Sequence, residues 1–178
     1  MPKIVKDGNI VDEVPVEMPE ELVDILKEKE TLTTLTTVDE KGVPHTVYKG
    51  SISLSEEGCL AYIEMLEGSQ TSKNMLTCYR NQNTVSVTAF NPGNLKSYQV
   101  KGLPYKYVVE GPIWEDMRKA LWEMVPVAEP AGVWLIIPKE VRDESYAGRF
   151  NEENERLRPA HSQWFSYKDA SYAKRHGS

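Results

Sequence analysis

Hydrophobic and polar positions alternate with a period of two along much of this chain. The stretches in which apolar or β-branched residues follow this pattern are 31–38, 43–54, 59–65, 84–90, 96–109 and 132–137. Successive side chains of a β-strand point to opposite faces, so each stretch predicts a strand. Glycine-containing segments of hairpin length join the first three stretches, which predicts antiparallel pairing. Six antiparallel strands predict a small barrel or a sandwich.

Apolar residues recur at helical spacing in two other segments, 19–30 and 112–124. Pro19 and two acidic residues open the first segment, which suits the positive end of a helix dipole. Pro126 ends the second segment. A shorter helix is predicted over residues 74–80, after a polar loop. The helices are few and short, so the chain is predicted to be mainly β with peripheral helices.

The pattern divides the chain into three parts. Residues 1–16 are polar and predict an irregular N-terminal arm, and residues 17–147 hold the barrel domain. Residues 148–178 form a C-terminal tail, which we expect to pack on the barrel or on a partner subunit. Within the tail, residues 152–158 predict a brief helix because oppositely charged side chains stand four positions apart. Pro104, inside the fifth strand, predicts a bulge or an edge position.

Composition and charge narrow the function classes. Of the 178 residues, 27 are acidic and 21 are basic, and a net charge of −6 disfavours general nucleic-acid binding. No apolar run approaches the roughly 20 residues of a membrane span, and no signal-peptide pattern is present. Cys59 and Cys78 lack redox or metal spacing, which predicts reduced thiols in a cytoplasmic protein. The histidines are too far apart in sequence to predict a metal site by spacing: His45, His161 and His176.

The polar stretch before Asn74 is the first candidate for chemistry. Residues 69–74 give six consecutive hydrogen-bonding side chains just before a predicted helix, whose free N–H groups favour an anion. Lys73 adds a positive charge, so the stretch is a candidate phosphate site. The alternative is a solvated loop in which Thr71 or Ser72 caps the helix.

The strand over residues 44–51 is the second candidate, because it carries His45, Tyr48 and Lys49. Tyr48 and Lys49 are adjacent and must point to opposite faces, so only one of them can face a given site. The alternative is an amphipathic strand with a solvent-exposed lysine and a surface histidine. The sequence contains no nucleophile-elbow, zinc-protease, P-loop or dinucleotide-binding motif.

Six short motifs occur in order along the chain. They are Leu-Thr-Thr-Val-Asp-Glu-Lys-Gly-Val-Pro-His at 35–45, Tyr-Lys-Gly at 48–50, Ala-Tyr-Ile-Glu-Met at 61–65, Ser-Gln-Thr-Ser-Lys-Asn at 69–74, Tyr-Gln-Val-Lys-Gly at 98–102 and Val-Glu-Gly-Pro at 109–112. Together they resemble the pyridoxamine 5′-phosphate oxidase-like, FMN-binding split-barrel family. The resemblance implies a six-stranded antiparallel split β-barrel that forms a homodimer and binds FMN at the subunit interface.

The resemblance also implies which residues contact the cofactor. They are His45, Thr46, Val47, Tyr48 and Lys49 along the flavin ring, Glu64 and Met65 through backbone groups near the ring, Thr71, Ser72, Lys73 and Asn74 at the phosphate, and Gln99 from the partner subunit. No catalytic residue is assigned, although His45 and Tyr48 are candidates for proton delivery to a substrate.

The resemblance implies an FMN-dependent oxidoreductase that acts on a small organic molecule or a nicotinamide. The arginine- and histidine-rich substrate motif of pyridoxamine phosphate oxidases is reduced here to Arg156-Leu-Arg-Pro159, so that reaction is not assigned. Two alternatives stay open. One is an FMN carrier or electron-transfer protein without a substrate, and the other is a split-barrel binding module for another ligand such as haem.

Overall fold

The computed structural model describes residues 2–6 and 9–153. The strands are β1 (Lys3–Lys6), β2 (Asn9–Asp12), β3 (Leu32–Val38), β4 (Pro44–Tyr48), β5 (Ser53–Leu54), β6 (Leu60–Glu64), β7 (Val85–Asn91), β8 (Lys96–Val108) and β9 (Gly132–Asp143). The helices are α1 (Glu20–Ile25), α2 (Gln70–Asn81) and α3 (Pro112–Met124), and residues 146–153 are also helical.

Seven of the strands form one antiparallel sheet in the order β4-β3-β7-β8-β9-β6-β5. Burial alternates along β3 and β7, as expected for strands that face the core on one side only. By contrast, β9 is buried continuously over its first seven residues, because it lies inside the sheet with apolar layers on both faces. The sheet curls into a half-barrel, which confirms the predicted antiparallel split barrel.

Two apolar clusters pack on the two faces of the sheet. The larger one fills the barrel and is covered by α1 and α2; its buried members include Leu22, Leu35, Met75 and Trp134. The smaller one lies under α3 and includes Leu121 together with residues of β6, β8 and β9.

Two predictions about the strands have different outcomes. The register between β8 and β9 shifts between Pro104 and Lys106, which is the predicted irregularity at the proline. The predicted strand over residues 43–54 is instead two strands, β4 and β5, because the chain turns at residues 50–51. The main sheet therefore has seven strands where the sequence predicts six.

Three predictions about local structure are wrong. The N-terminal arm is not irregular, because β1 and β2 form an antiparallel hairpin. A backbone hydrogen bond of 3.0 Å from Val16 to the carbonyl of Pro138 attaches the segment after it to the barrel. The helix predicted over 19–30 ends at Ile25, and the helix predicted over 74–80 begins at Gln70.

None of the helices in the described part of the chain is both long and apolar enough to cross a membrane.

The end of the chain is only partly described. Of the brief helix predicted over 152–158, residues 152 and 153 belong to a helical segment that starts at residue 146, and the rest lies outside the described residues. The predicted packing of the tail beyond residue 153 also lies outside the described residues.

Candidate functional site

The first turn of α2 offers unpaired backbone donors. The hydroxyl of Ser69 accepts a hydrogen bond of 2.9 Å from the N–H of Ser72, so Ser69 is the N-cap, and not Thr71 or Ser72 as the alternative interpretation had it. The N–H groups of Gln70 and Thr71 lie in the first turn, where a helix supplies no intrahelical partner. Lys73 is exposed beside them. This end of α2 can therefore accept an anion from solvent.

Asn74 ties α2 to the sheet. Its side chain is buried, donates a hydrogen bond of 3.1 Å to the hydroxyl of Thr37 and accepts one of 2.7 Å from Gln70. The hydroxyl of Thr37 in turn donates to the carbonyl of His45, at 3.4 Å. Thr71 is also buried. Of residues 71–74, only Ser72 and Lys73 are accessible, while Asn74 fixes the distance between the helix and β4.

The strand β4 presents different residues to its two faces. His45, Val47 and Lys49 are half-buried on the face toward α2, whereas Thr46 and Tyr48 are exposed on the opposite face. The side chain of Tyr48 is 62% exposed. The prediction that adjacent residues of this strand face opposite sides is therefore confirmed, and the two candidate proton donors do not share a face.

A buried ion pair joins the two ends of the curled sheet. Lys49 directly follows β4, and Glu64 is the last residue of β6, next to the opposite edge. The ammonium of Lys49 lies 3.4 and 3.3 Å from the two carboxylate oxygens of Glu64, and the two side chains are 15% and 2% exposed. The carboxylate also accepts hydrogen bonds from the hydroxyl of Tyr62, at 3.4 Å, and from the N–H of Leu66, at 3.3 Å.

Tyr62, which contacts this ion pair, belongs to a row of three aromatic side chains inside the barrel. Tyr62, Trp134 and Tyr107 are register partners on β6, β9 and β8, and the rings of Tyr107 and Trp134 are 5.0 Å apart. Burial, followed by the charge of Glu64, raises the pKa of Tyr62, and burial raises the pKa of Tyr107. Both phenols therefore stay protonated at neutral pH.

Two polar atoms of this aromatic group have no partner in the described part of the chain. They are the hydroxyl oxygen of Tyr107 and the indole nitrogen of Trp134, and both are buried. Gly132 makes room for the Tyr107 ring, since a Cβ atom at that position would overlap it. The sequence does not identify Tyr107 or Trp134, because an aromatic residue in a strand gives no signal that its polar atom is buried without a partner.

Gln99 lies away from the other predicted contacts within one subunit. Strand register places Tyr48, Thr34, Thr88 and Gln99 in one row across β4, β3, β7 and β8, on the outer face of the sheet. Neighbouring strands are about 4.8 Å apart, so Gln99 is about 14 Å from β4. Met65 directly follows Glu64 and is 41% exposed. The structure thus brings together β4, the end of β6 and the start of α2, but not Gln99.

Known structures share this fold. A crystal structure from Lactobacillus delbrueckii described as a "putative pyridoxamine 5′-phosphate oxidase" is 20% identical, with a TM-score of 0.51 over 79% of this chain and 98% of that one. An FMN-binding protein from Syntrophomonas wolfei is 12% identical, with a TM-score of 0.56 over 71% of this chain and 88% of that one.

The heme storage protein HutZ from Vibrio cholerae also has this architecture. It is 14% identical, with a TM-score of 0.51 over 72% of this chain and 95% of that one. No family model and no curated protein matches the sequence. At these identities the similarity establishes the split-barrel fold, and proteins that share the fold differ in the ligand they are named for.

Proposed function

We propose that this protein binds FMN and is an oxidoreductase. The observation that carries the proposal is the start of α2, where the N–H groups of Gln70 and Thr71 and the side chain of Lys73 can meet the phosphate. The flavin ring would then extend along β4 toward Glu64 and Met65. The FMN-binding protein of the same fold supports the choice of cofactor.

The residues present fit such a cofactor in charge and in hydrogen-bonding capacity. Lys73 would offset the phosphate charge, and the hydroxyl of Ser72 would donate to a phosphate oxygen. Buried Asn74 would hold α2 at a fixed distance from β4 through Thr37. When bound, FMN supplies the transfer of hydride or electrons, and the protein supplies binding and orientation. His45 is then the candidate for proton delivery from the inner face.

We further propose that two copies of the chain form the complete site. Gln99 is on the outer face and reaches a flavin held by β4 only from a second subunit. Exposed apolar side chains occur on the same face, including Leu32, which is 50% exposed and pairs with Phe90. Light scattering at micromolar concentration should give about twice the chain mass of 20.2 kDa. A monomeric particle would exclude a site shared between subunits.

The absorption spectrum of the purified protein after incubation with excess FMN and desalting tests the cofactor assignment. Flavin bands that stay with the protein are expected. Lys73→Ala should weaken FMN binding by about 1–3 kcal/mol, the contribution of a hydrogen bond to a charged group. Lys119→Ala is the matched control, because Lys119 is an exposed lysine on α3. Equal affinities of the two variants would exclude the phosphate site at α2.

Turnover separates an oxidoreductase from an FMN carrier. Steady oxidation of NADH or NADPH, or of a small organic substrate, by the FMN-loaded protein is expected for an enzyme. A flavin that is reduced only by a protein partner would identify a carrier.

Binding of haem is the second candidate function. The fold occurs in a heme storage protein, and His45, the one histidine in the described part of the chain, lies half-buried on the inner face of β4. Histidine is the proximal ligand of the haem iron in globins and peroxidases. Titration with hemin tests this role, because His45→Ala should abolish the haem absorption band, whereas Lys73→Ala, at the proposed phosphate site, should leave that band unchanged.

A further inference from the structure

We propose that Glu64 sets the redox potential of the bound flavin by neutralising Lys49. This inference rests on the proposed function, because the ion pair joins the two segments, β4 and the end of β6, that would line the flavin ring. Two-electron reduction of FMN takes up two electrons and one proton and yields an anionic ring. A free ammonium beside the ring would favour that anion, whereas an ammonium paired with a carboxylate favours it far less.

The geometry supports a carboxylate fixed in place on the lysine. Glu64 is 2% exposed and has three donors in the described structure: the ammonium of Lys49, the hydroxyl of Tyr62 and the N–H of Leu66. Lys49 is 15% exposed and lies 4.8 Å from the centre of the Tyr62 ring. The lysine therefore stays inside the barrel, and its charge is balanced within 3.3 Å.

Burial determines how strongly this charge balance affects the flavin. The attraction between two unit charges grows as the effective dielectric constant falls, and it is several-fold larger in a protein than in water. Ions in solution screen a buried pair only weakly. Replacing Glu64 with a neutral residue would thus remove the counter-charge of the Lys49 ammonium from the environment of the ring.

A second cluster with the same three side-chain types provides a matched control. We call Lys49, Glu64 and Tyr62 the buried cluster and Lys96, Glu21 and Tyr98 the exposed cluster. The names describe the two ion pairs, because Tyr98 itself is 5% exposed. In the exposed cluster, Lys96 lies 2.8 Å from Glu21, and the hydroxyl of Tyr98 donates to the same carboxylate. Glu21 is on α1 and is 46% exposed, away from the proposed flavin site.

The test compares Glu64→Gln with Glu21→Gln in the full chain loaded with FMN. The midpoint potential is measured by stepwise reduction with dithionite in the presence of redox dyes, together with the dissociation constant of oxidised FMN. Glu64→Gln should favour binding of reduced over oxidised FMN by at least about tenfold, a rise of about 30 mV for a two-electron couple. Glu21→Gln should leave the potential unchanged.

Two further variants keep the proposal falsifiable if Glu64→Gln does not fold. Glu64→Asp keeps the charge but withdraws the carboxylate from Lys49, so a smaller rise in potential is expected. The double variant Lys49→Gln/Glu64→Gln has no unpaired buried charge and should return to the wild-type potential. Potentials of Glu64→Gln or Glu64→Asp that match Glu21→Gln would overturn the role of Glu64. A wild-type protein that binds no FMN would overturn the proposed function as well.

Discussion

The buried and exposed clusters contain the same three kinds of side chain, but their ion pairs lie in two different environments. The ion pair of the exposed cluster is the shorter one, 2.8 Å against 3.3 Å, yet its residues are 36% and 46% exposed. In water the attraction of such a pair is small and is offset by the loss of side-chain freedom. In the buried cluster the charges have lost most of their hydration and depend on each other. The strength of the two ion pairs therefore depends more on their exposure to water than on the distance between their charges.

The difference assigns separate roles to the two clusters. The exposed cluster links α1 to the start of β8 and serves the fold. The buried cluster joins the two ends of the curled sheet at the region where β4, β6 and α2 meet. A buried ion pair is seldom more stable than an apolar pair of similar volume, so its presence there is better explained by a function than by stability.

The largest expected effect is the loss of stability in Lys49→Met. This substitution leaves the carboxylate of Glu64 buried without its ammonium, and breaking a buried pair on one side costs about 3–5 kcal/mol. Urea denaturation followed by tryptophan fluorescence measures the free energy of unfolding. Lys96→Met, the same substitution in the exposed cluster, should barely move the midpoint. Equal effects of the two variants would show that the charges of the buried cluster are solvated.

The double variant Lys49→Met/Glu64→Leu should recover most of the lost stability. Removing both charges leaves apolar side chains in an apolar environment, and such replacements are often neutral or stabilising. We expect a free energy of unfolding within about 1 kcal/mol of the wild-type protein, by the same urea titration. A double variant as unstable as Lys49→Met would indicate that loss of packing, and not the unpaired charge, destabilises the single variant.

Features that depend on a pattern within one short segment could be predicted from the sequence. The strands of the barrel follow from alternation, since β3 and β7 each bury every second residue over seven positions. The helix α3 follows from apolar spacing and from Pro126. The sequence predicts the start of α2 four residues late, because residues 70–74 are polar and the apolar signal begins only at Met75. The sequence does not predict the hairpin of β1 and β2 for a similar reason, since polar residues interrupt the apolar ones in that segment.

Contacts between distant positions could not be predicted from local pattern. Lys49 and Glu64 are 15 positions apart, and both lie within motifs of the family resemblance, but no periodicity indicates that they pair. The exposed cluster spans 77 positions between Glu21 and Tyr98. Asn74 was expected at the phosphate, but its hydrogen bonds to Thr37 and Gln70 depend on how α2 packs on the sheet.

A smaller effect is expected for the pH dependence of the exposed cluster. Hydrogen bonds from Lys96 and then from Tyr98 lower the pKa of Glu21. A carboxyl whose pKa is lower in the folded protein contributes stability above its unfolded pKa and loses it as the pH falls through the folded value. The advantage of the wild-type protein over Glu21→Gln should thus be constant above about pH 5 and shrink below about pH 4. An advantage that grows on acidification would contradict the assignment.

The smallest expected effect is the response of the two clusters to salt. Between 0.1 and 1 M salt the screening length falls from about 10 Å to about 3 Å, which weakens attractions between exposed charges and affects buried ones little. In 1 M sodium chloride, the difference in urea midpoint between wild type and Glu21→Gln should therefore largely disappear. The difference between wild type and Glu64→Gln should persist, because a carboxylate that is 2% exposed has little contact with the salt solution. If salt reduced both differences equally, water would have access to both pairs, and the distinction between them would fail.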